Sequence, residues 1–260
     1  MSADPLDAAA GERAERIAKV LARAGVCSRR DAERWIADGR VSVDGRVLTT
    51  PAVTVTTAND IRVDGKPLPA ADRPRLWRYH KPAGLVTSHR DEKGRPTVFD
   101  ALPKDLPRLI SVGRLDLSSE GLLLLTNDGA LARRLELPST GWLRRYKVRV
   151  HGEVEPERLA ALEKGITVGG VGYGPIRAAL ERQQASNAWI AIALREGKSR
   201  EVRRVLEYLG LQVTRLIRLS YGPFQLGNLA RGAVDEVPKK VLSDQLGTSR
   251  AATIHANRRR

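Results

Sequence analysis

Four consecutive leucines, Leu122 to Leu125, constrain this chain more than any other stretch of it. The run offers no polar side chain to a solvent face and is too short for an amphipathic helix. Gly121 precedes it and Asn127-Asp128-Gly129 follows it, so it reads as a fully buried strand. Asn127 or Asp128 then caps a helix containing LARRL. Directly upstream, in GRLDLSSEGLLLLTNDG, stand one arginine and one aspartate, Arg114 and Asp116. Alone, the pair fits a structural ion pair in a loop as well as it fits a site.

Composition narrows the partners. The chain has 260 residues, 42% of them hydrophobic, which suits one large or two modest domains. No apolar run approaches the roughly 20 residues of a membrane helix, so a soluble chain is expected. The 45 Lys and Arg, most of them Arg, against 30 Asp and Glu leave a formal charge of +15. That balance favours a polyanion, nucleic acid first, and Arg offers a flat fork of donors suited to phosphate. A long basic amphipathic helix is missing, which ranks a membrane surface lower. A single cysteine, Cys27, excludes an internal disulfide and a cysteine-built zinc site. The start, MSADPLDAAAG, is acidic and unlike a secretory signal, and a cytoplasmic protein is expected.

Two regions differ in pattern. In ERIAKVLARAG the apolar Ile17, Val20, Leu21 and Ala24 recur at helical spacing, and Gly25 supplies a stop. SRRDAERWIADG predicts a second helix with a Ser28/Asp31 capping box, and RVSVDGRVL predicts a hairpin turning at Asp44-Gly45. This helix, helix, hairpin unit resembles the small RNA-binding domain named after the fourth protein of the ribosomal small subunit. The resemblance implies that Arg29, Arg30 and Arg34 are presented to phosphates. The expected organisation is a disordered N-terminus over 1–12 and the S4-like unit over 13–63. A linker over 64–76, a catalytic domain over 77–238 and a basic flexible tail over 239–260 follow.

In the longer region the four histidines are scattered, no GxSxG serine is present, and GGVGYG lacks the spacing and lysine of a phosphate loop. The informative segments are three. HKPAGLVTSHRDEKGRPTVFDALP predicts a broken strand, a charged loop and a short helix capped by Thr97. GRLDLSSEGLLLLTNDG follows it. LREGKSREVRRVLEYLG turns at Glu196-Gly197 into a helix with Val202, Val205, Leu206 and Leu209 inward and Arg200, Arg203 and Arg204 at its start.

In this order, and with RRYKVRV between the last two, the segments resemble the ribosomal-RNA pseudouridine synthases of the RsuA and RluB group, from the first helix to about Asp235. The resemblance implies an α+β fold: a mixed, mainly antiparallel sheet with flanking helices and a cleft across its middle. It implies that Asp116 is the essential carboxylate, Tyr146 the ring beside the target uracil and Arg203 the basic partner that keeps the carboxylate ionised. Arg114 is then the side chain that fills the space left by a flipped base. Lys198 and, at the helix start, Arg200 meet phosphates. Glu201 departs from the Gln of many relatives. The isomerisation needs no outside reactant, hence no metal and no cofactor. The implied partner is ribosomal RNA or a pre-ribosomal particle, met by a monomer. The RRYKVRVHGEV and SREVRRVLEYLG segments look closer to the large-subunit RluB type. The competing readings are a small-subunit enzyme and a noncatalytic RNA-binding assembly factor.

Overall fold

The computed structural model describes residues 14–256, with side chains in the last helix as far as Gly247. The expected disorder of residues 1–12 therefore lies outside the described residues. The chain divides into two compact units at Pro74/Arg75.

The first unit contains β1 (Glu15–Arg16), α1 (Ile17–Arg23), α2 (Arg29–Ala37), β2 (Val41–Val43), β3 (Arg46–Val47), β4 (Thr54–Val55), β5 (Ile61–Val63) and β6 (Lys66–Pro67). The capping box at α2 is formed as the sequence predicts: Ser28 Oγ accepts from Asp31 N at 3.0 Å, and Ser28 N donates to Asp31 Oδ2 at 3.3 Å. Ile17, Leu21, Ala32, Ile36, Val41 and Val55 close a core between the helices and the antiparallel order β3-β2-β5-β6. The linker starts later than expected. Asp64-Gly65, both at positive φ, turns β5 into β6, so a second hairpin occupies the first four residues assigned to the linker. Its arms of three and two residues are too short to show alternation, although the Asp-Gly turn signal is present.

The second unit is built on β7 (Leu76–Lys81), β8 (Ile110–Val112), β9 (Ser119–Thr126), α3 (Gly129–Glu136), β10 (Arg144–His151) and α4 (Pro156–Ala161). It continues through β11 (Ile166–Val168), β12 (Val171–Tyr173), β13 (Ile176–Gln184), β14 (Asn187–Leu194), α5 (Glu201–Tyr208), β15 (Gln212–Tyr221), β16 (Phe224–Gln225), β17 (Val234–Glu236) and α6 (Lys239–Ala256). The main sheet runs β13-β14-β10-β15-β9-β7-β17, and every pairing in it is antiparallel except β15 with β9. The leucine run is the buried strand β9, each of its four leucines at 0% exposure. Leu122 and Leu124 pack with α3 and α6, while Leu123 and Leu125 pack with Trp77, Tyr79, Val98 and Leu109. Asp128 Oδ1 accepts from Leu131 N at 2.6 Å and starts α3. On the other half of the sheet Val148, Val150, Ile190 and Ile192 receive Val202, Val205 and Leu206 of α5.

Two expectations are corrected here. Thr97 caps no helix: Thr97 and Asp100 bond each other as a capping box does, but the chain after them continues as turns. Lys239–Ala256 is helical rather than a flexible tail, because Leu242 and Leu246 bury against the α3 side of the sheet and Arg134 donates to Leu246 O at 2.7 Å; residues 257–260 of the expected tail lie outside the described residues. Two apolar residues four apart suffice to dock a helix, and the high content of basic residues obscured them.

Candidate active site

The segment carrying Arg114 and Asp116 leaves the sheet after β8 and re-enters it at Ser119. Gly113, at φ +67°, makes the bend, and its N–H donates to Glu136 Oε1 at 2.6 Å. Leu115 is buried, and its carbonyl accepts from Thr87 Oγ1 at 2.8 Å. Ser119 then pairs in register with Leu216, at the parallel seam between β9 and β15.

Every carbonyl from Asp116 to Ser119 is held by a donor. Lys81, fully buried at the end of β7, directs Nζ at the carbonyls of Asp116 (3.2 Å), Leu117 (3.4 Å), Ser119 (2.9 Å) and Pro82 (3.0 Å). Arg203 Nη2 donates to Ser118 O at 3.2 Å, and Gly84 N to Leu117 O at 2.8 Å. An ammonium has three donors, so four carbonyl neighbours leave none of its protons unmatched. Burial pushes the Lys81 ammonium down to about 8, against the opposing pull of Asp116 and then Glu120. The Asp116 loop is thereby clamped before any substrate arrives, which is the condition for precise positioning of a reacting group.

The clamped loop forms one wall of a cleft of about 660 Å³, a volume in the range that takes a nucleotide-sized ligand. Its other walls are β10, β15 and the 197–202 segment. Arg95, Arg114, Arg144, Lys198, Arg200 and Arg218 line it against the carboxyls of Asp116, Glu136 and Glu201, so the cleft is cationic as a whole. Among the described residues the Asp116 carboxylate makes no hydrogen bond and no ion pair.

The expected residues fare differently. Asp116, Arg114 and Tyr146 share the cleft. Tyr146 lies on β10 between its register partners Arg218 and Ile192. Arg200 lines the cleft in the left-handed conformation, φ +53°, that turns the chain into α5. Lys198 also lines it, with its ammonium engaged by Glu196 at 2.7 Å and Gly172 O at 2.6 Å. Arg203 feels the charge of Asp116 without direct contact. It forms no ion pair with Asp116; its guanidinium, 6% exposed, reaches Ser118 O and Val213 O behind the loop. Burial, then Arg200, lowers its pKa, while the charge of Asp116 opposes that. Arg29, Arg30 and Arg34 lie on α2 of the first unit, exposed and outside this cleft, with Arg34 in an ion pair with Asp31.

Two residues of the site, Lys81 and Arg218, escape the sequence reading, and Glu201 gains a role there. Lys81 continues the inward alternation of Trp77 and Tyr79, a register that places a lysine in a core and is itself a signal. Arg218 likewise alternates with Leu216 and Ser220; it is buried, donates Nε to Leu122 O at 2.7 Å, and leaves Nη2 without a protein partner beside the cleft. Glu201 is buried, accepts from Lys198 N at 2.9 Å and leaves Oε1 without a partner; burial raises its pKa.

The family model for RNA pseudouridylate synthase matches residues 75–208, and that of the S4 domain matches residues 15–61. The chain belongs to the RNA pseudouridine synthase family. A relative from Rickettsia felis, named as an uncharacterized RNA pseudouridine synthase, is 48% identical over 228 residues, covering 88% of this chain and 99% of that one. A Yersinia pestis protein named ribosomal large subunit pseudouridine synthase B is 42% identical over 235 residues, covering 87% of this chain and 73% of that one. A solved pseudouridylate synthase superposes with a TM-score of 0.62 at 26% identity, covering 88% of the synthase and 99% of that chain. The expected α+β architecture, with its S4 domain at the N-terminus, is the one observed. Among the described residues, no helix of the synthase is long and apolar enough to cross a membrane.

Proposed function

We propose that the synthase converts a uridine of large-subunit ribosomal RNA to pseudouridine in the cleft around Asp116, as a monomer in the cytoplasm. The observation that carries the site assignment is the Asp116 carboxylate, without a hydrogen bond or ion pair among the described residues, on a loop whose own carbonyls are all held. A carboxylate whose backbone is fixed and whose oxygens are unclaimed is disposed for work on a ligand rather than for structure. The relatives named as large-subunit synthase B supply the choice of subunit.

The chemistry assigns work to each group. A uridine leaves its helix at a cost of a few kcal/mol. Arg114, exposed at the cleft wall, fills the vacated stack, and Tyr146 stacks on the extruded uracil. The ionised Asp116 attacks the sugar or base, or removes a sugar proton. The bond from ribose C1′ to uracil N1 breaks, the base turns and C1′ bonds to C5. The proton lost from C5 balances the one gained at N1, so no atom is gained or lost. Arg203 and Lys81 act as positioning residues through the carbonyls of the loop. Arg200 meets a phosphate, and Lys198 does so on leaving Glu196. Arg29, Arg30 and Arg34 give the N-terminal module its grip on RNA.

The test is Asp116→Asn. Pseudouridine formation should be lost while RNA affinity stays within a few-fold, whereas a noncatalytic assembly factor would retain both its binding and its cellular role. Mapping pseudouridines in ribosomal RNA from cells with and without the gene identifies the subunit; a missing modification in the small subunit would overturn the large-subunit assignment.

A further inference from the structure

The sheet of the catalytic unit is covered unevenly. Tyr146, Val148 and Val150 of β10 face the cleft and α5. The alternate residues Arg145, Lys147 and Arg149 point to the opposite face, where α3 and α6 pack against β7, β9 and the part of β15 that carries Ile217. Among the described residues the rest of that face, on β13, β14 and β10, carries exposed side chains and is strongly basic.

Register aligns the basic residues in two rows. Arg145 pairs with Ala193, which pairs with Arg177. Four residues along β10, Arg149 stands between Arg215 of β15 and Trp189 of β14, with Arg182 beyond Trp189. A β-bulge after Leu180 brings Arg182 to this face. Between the rows stand Ala179 and Ala191, with Lys147 beside Ala191. Strand spacing and rise put the arginines of a row about 10 Å apart across two strands and the rows about 13 Å apart along them. Lys147 is matched by Glu181 at 3.4 Å and Arg215 by Glu120 at 2.9 Å. Arg145, Arg149, Arg177 and Arg182 are exposed and form no ion pair among the described residues. A chain does not gain stability from four unmatched like charges on one flat face, so a polyanion is the fitting occupant.

We infer that this open face of the sheet is a second RNA-binding surface, which grips the phosphates of a helical segment of the substrate RNA other than the one that supplies the target nucleotide. Duplex RNA fits better than single-stranded RNA. Single strands are held largely by stacking on exposed aromatic rings, and the aromatic residue on this face, Trp189, is half-buried and covered by the Lys147 ammonium 5.2 Å from its ring. The cleft opens on the other face of the sheet, so the two contacts belong to separate RNA segments. A surface of this kind would make recognition depend on how ribosomal RNA is folded as well as on the loop that is modified. The inference rests on RNA being the substrate, a property of the family.

The test combines Arg149→Gln, Arg177→Gln and Arg182→Gln in the full chain, none of them part of the cleft. Binding to a 30-base-pair RNA duplex and to a 12-nucleotide single strand is measured between 50 and 200 mM salt. Each lost duplex phosphate contact lowers the slope of log K against log salt by about 0.9. The triple variant should therefore lose about 2 to 3 from its duplex slope and bind duplex at least tenfold more weakly, while single-strand affinity stays within twofold. Should the triple variant fold poorly, each single variant should lose about 1 from the slope. Unchanged duplex affinity and slope would overturn the inference, whatever other anionic surface the variant ceases to bind. Pseudouridine formation by the unmodified synthase on large-subunit RNA, assayed in parallel, tests the proposed substrate separately.

Discussion

Glu201 shows how a single side chain in the cleft is tuned by burial. Its carboxyl is 4% exposed, accepts one backbone hydrogen bond and has one oxygen unmatched, so the neutral form is favoured in the folded protein. A carboxyl whose folded pKa is raised weakens the fold as it ionises. The cost is absent below the unfolded value of 4.5, grows as pH rises above it, and is complete once pH passes the raised folded value. Glu201→Gln keeps the shape, keeps an acceptor for Lys198 N and cannot ionise. Thermal melts should show the variant more stable than the parent at pH 8, by about 2–4 °C for each kcal/mol relieved, with the gap closing toward pH 4. A parent more stable at pH 8 would contradict this account.

At the scale of elements, β9 owes its place to what Gly121 lacks. Where β9 and β15 run parallel, Gly121 pairs with Arg218 at φ +100°, and a Cβ there would stand 2.3 Å from the Arg218 carbonyl oxygen. Neither strand can give way without opening the seam that sets Asp116 against β15. Gly121→Ala should cost on the order of 3 kcal/mol or more, from backbone strain and overpacking together. Urea denaturation measures it, and a loss below about 1 kcal/mol would show the seam to be more pliable than described. Much at this scale was legible in the sequence. The Ser28 cap, the Asp44-Gly45 turn, the Asp128 cap and the buried leucines each depend on residues within four positions of one another. The Asp64-Gly65 hairpin and helix α6 were missed because their apolar pattern is two residues deep.

On the scale of the whole molecule, the chain carries its charge in two compact units that use it differently. In the first unit Arg29 and Arg30 are exposed at the start of α2, and in the second the cations line a cleft and an open sheet face. Removing residues 1–72 takes away the S4 domain and leaves every residue of the cleft. Affinity for ribosomal RNA should fall, with a shallower salt dependence, while the single-turnover rate at saturating RNA stays within a few-fold of the parent. Unchanged affinity at both 50 and 200 mM salt would remove the S4 domain from RNA recognition.

The amino-acid sequence alone determined the family, the helix-helix-hairpin start, the buried leucine strand and the carboxylate most worth testing, since caps, turns and alternation are local and short motifs are contiguous. Only tertiary structure decided what holds that carboxylate in place. Lys81 reaches Asp116 O from 35 residues upstream, and Arg203 reaches Ser118 O from 85 residues downstream. Arg203 holds the backbone of the loop rather than the carboxylate itself, because the packing of α5 on the sheet and the pairing of β7 aim the two buried cations at carbonyls of the loop.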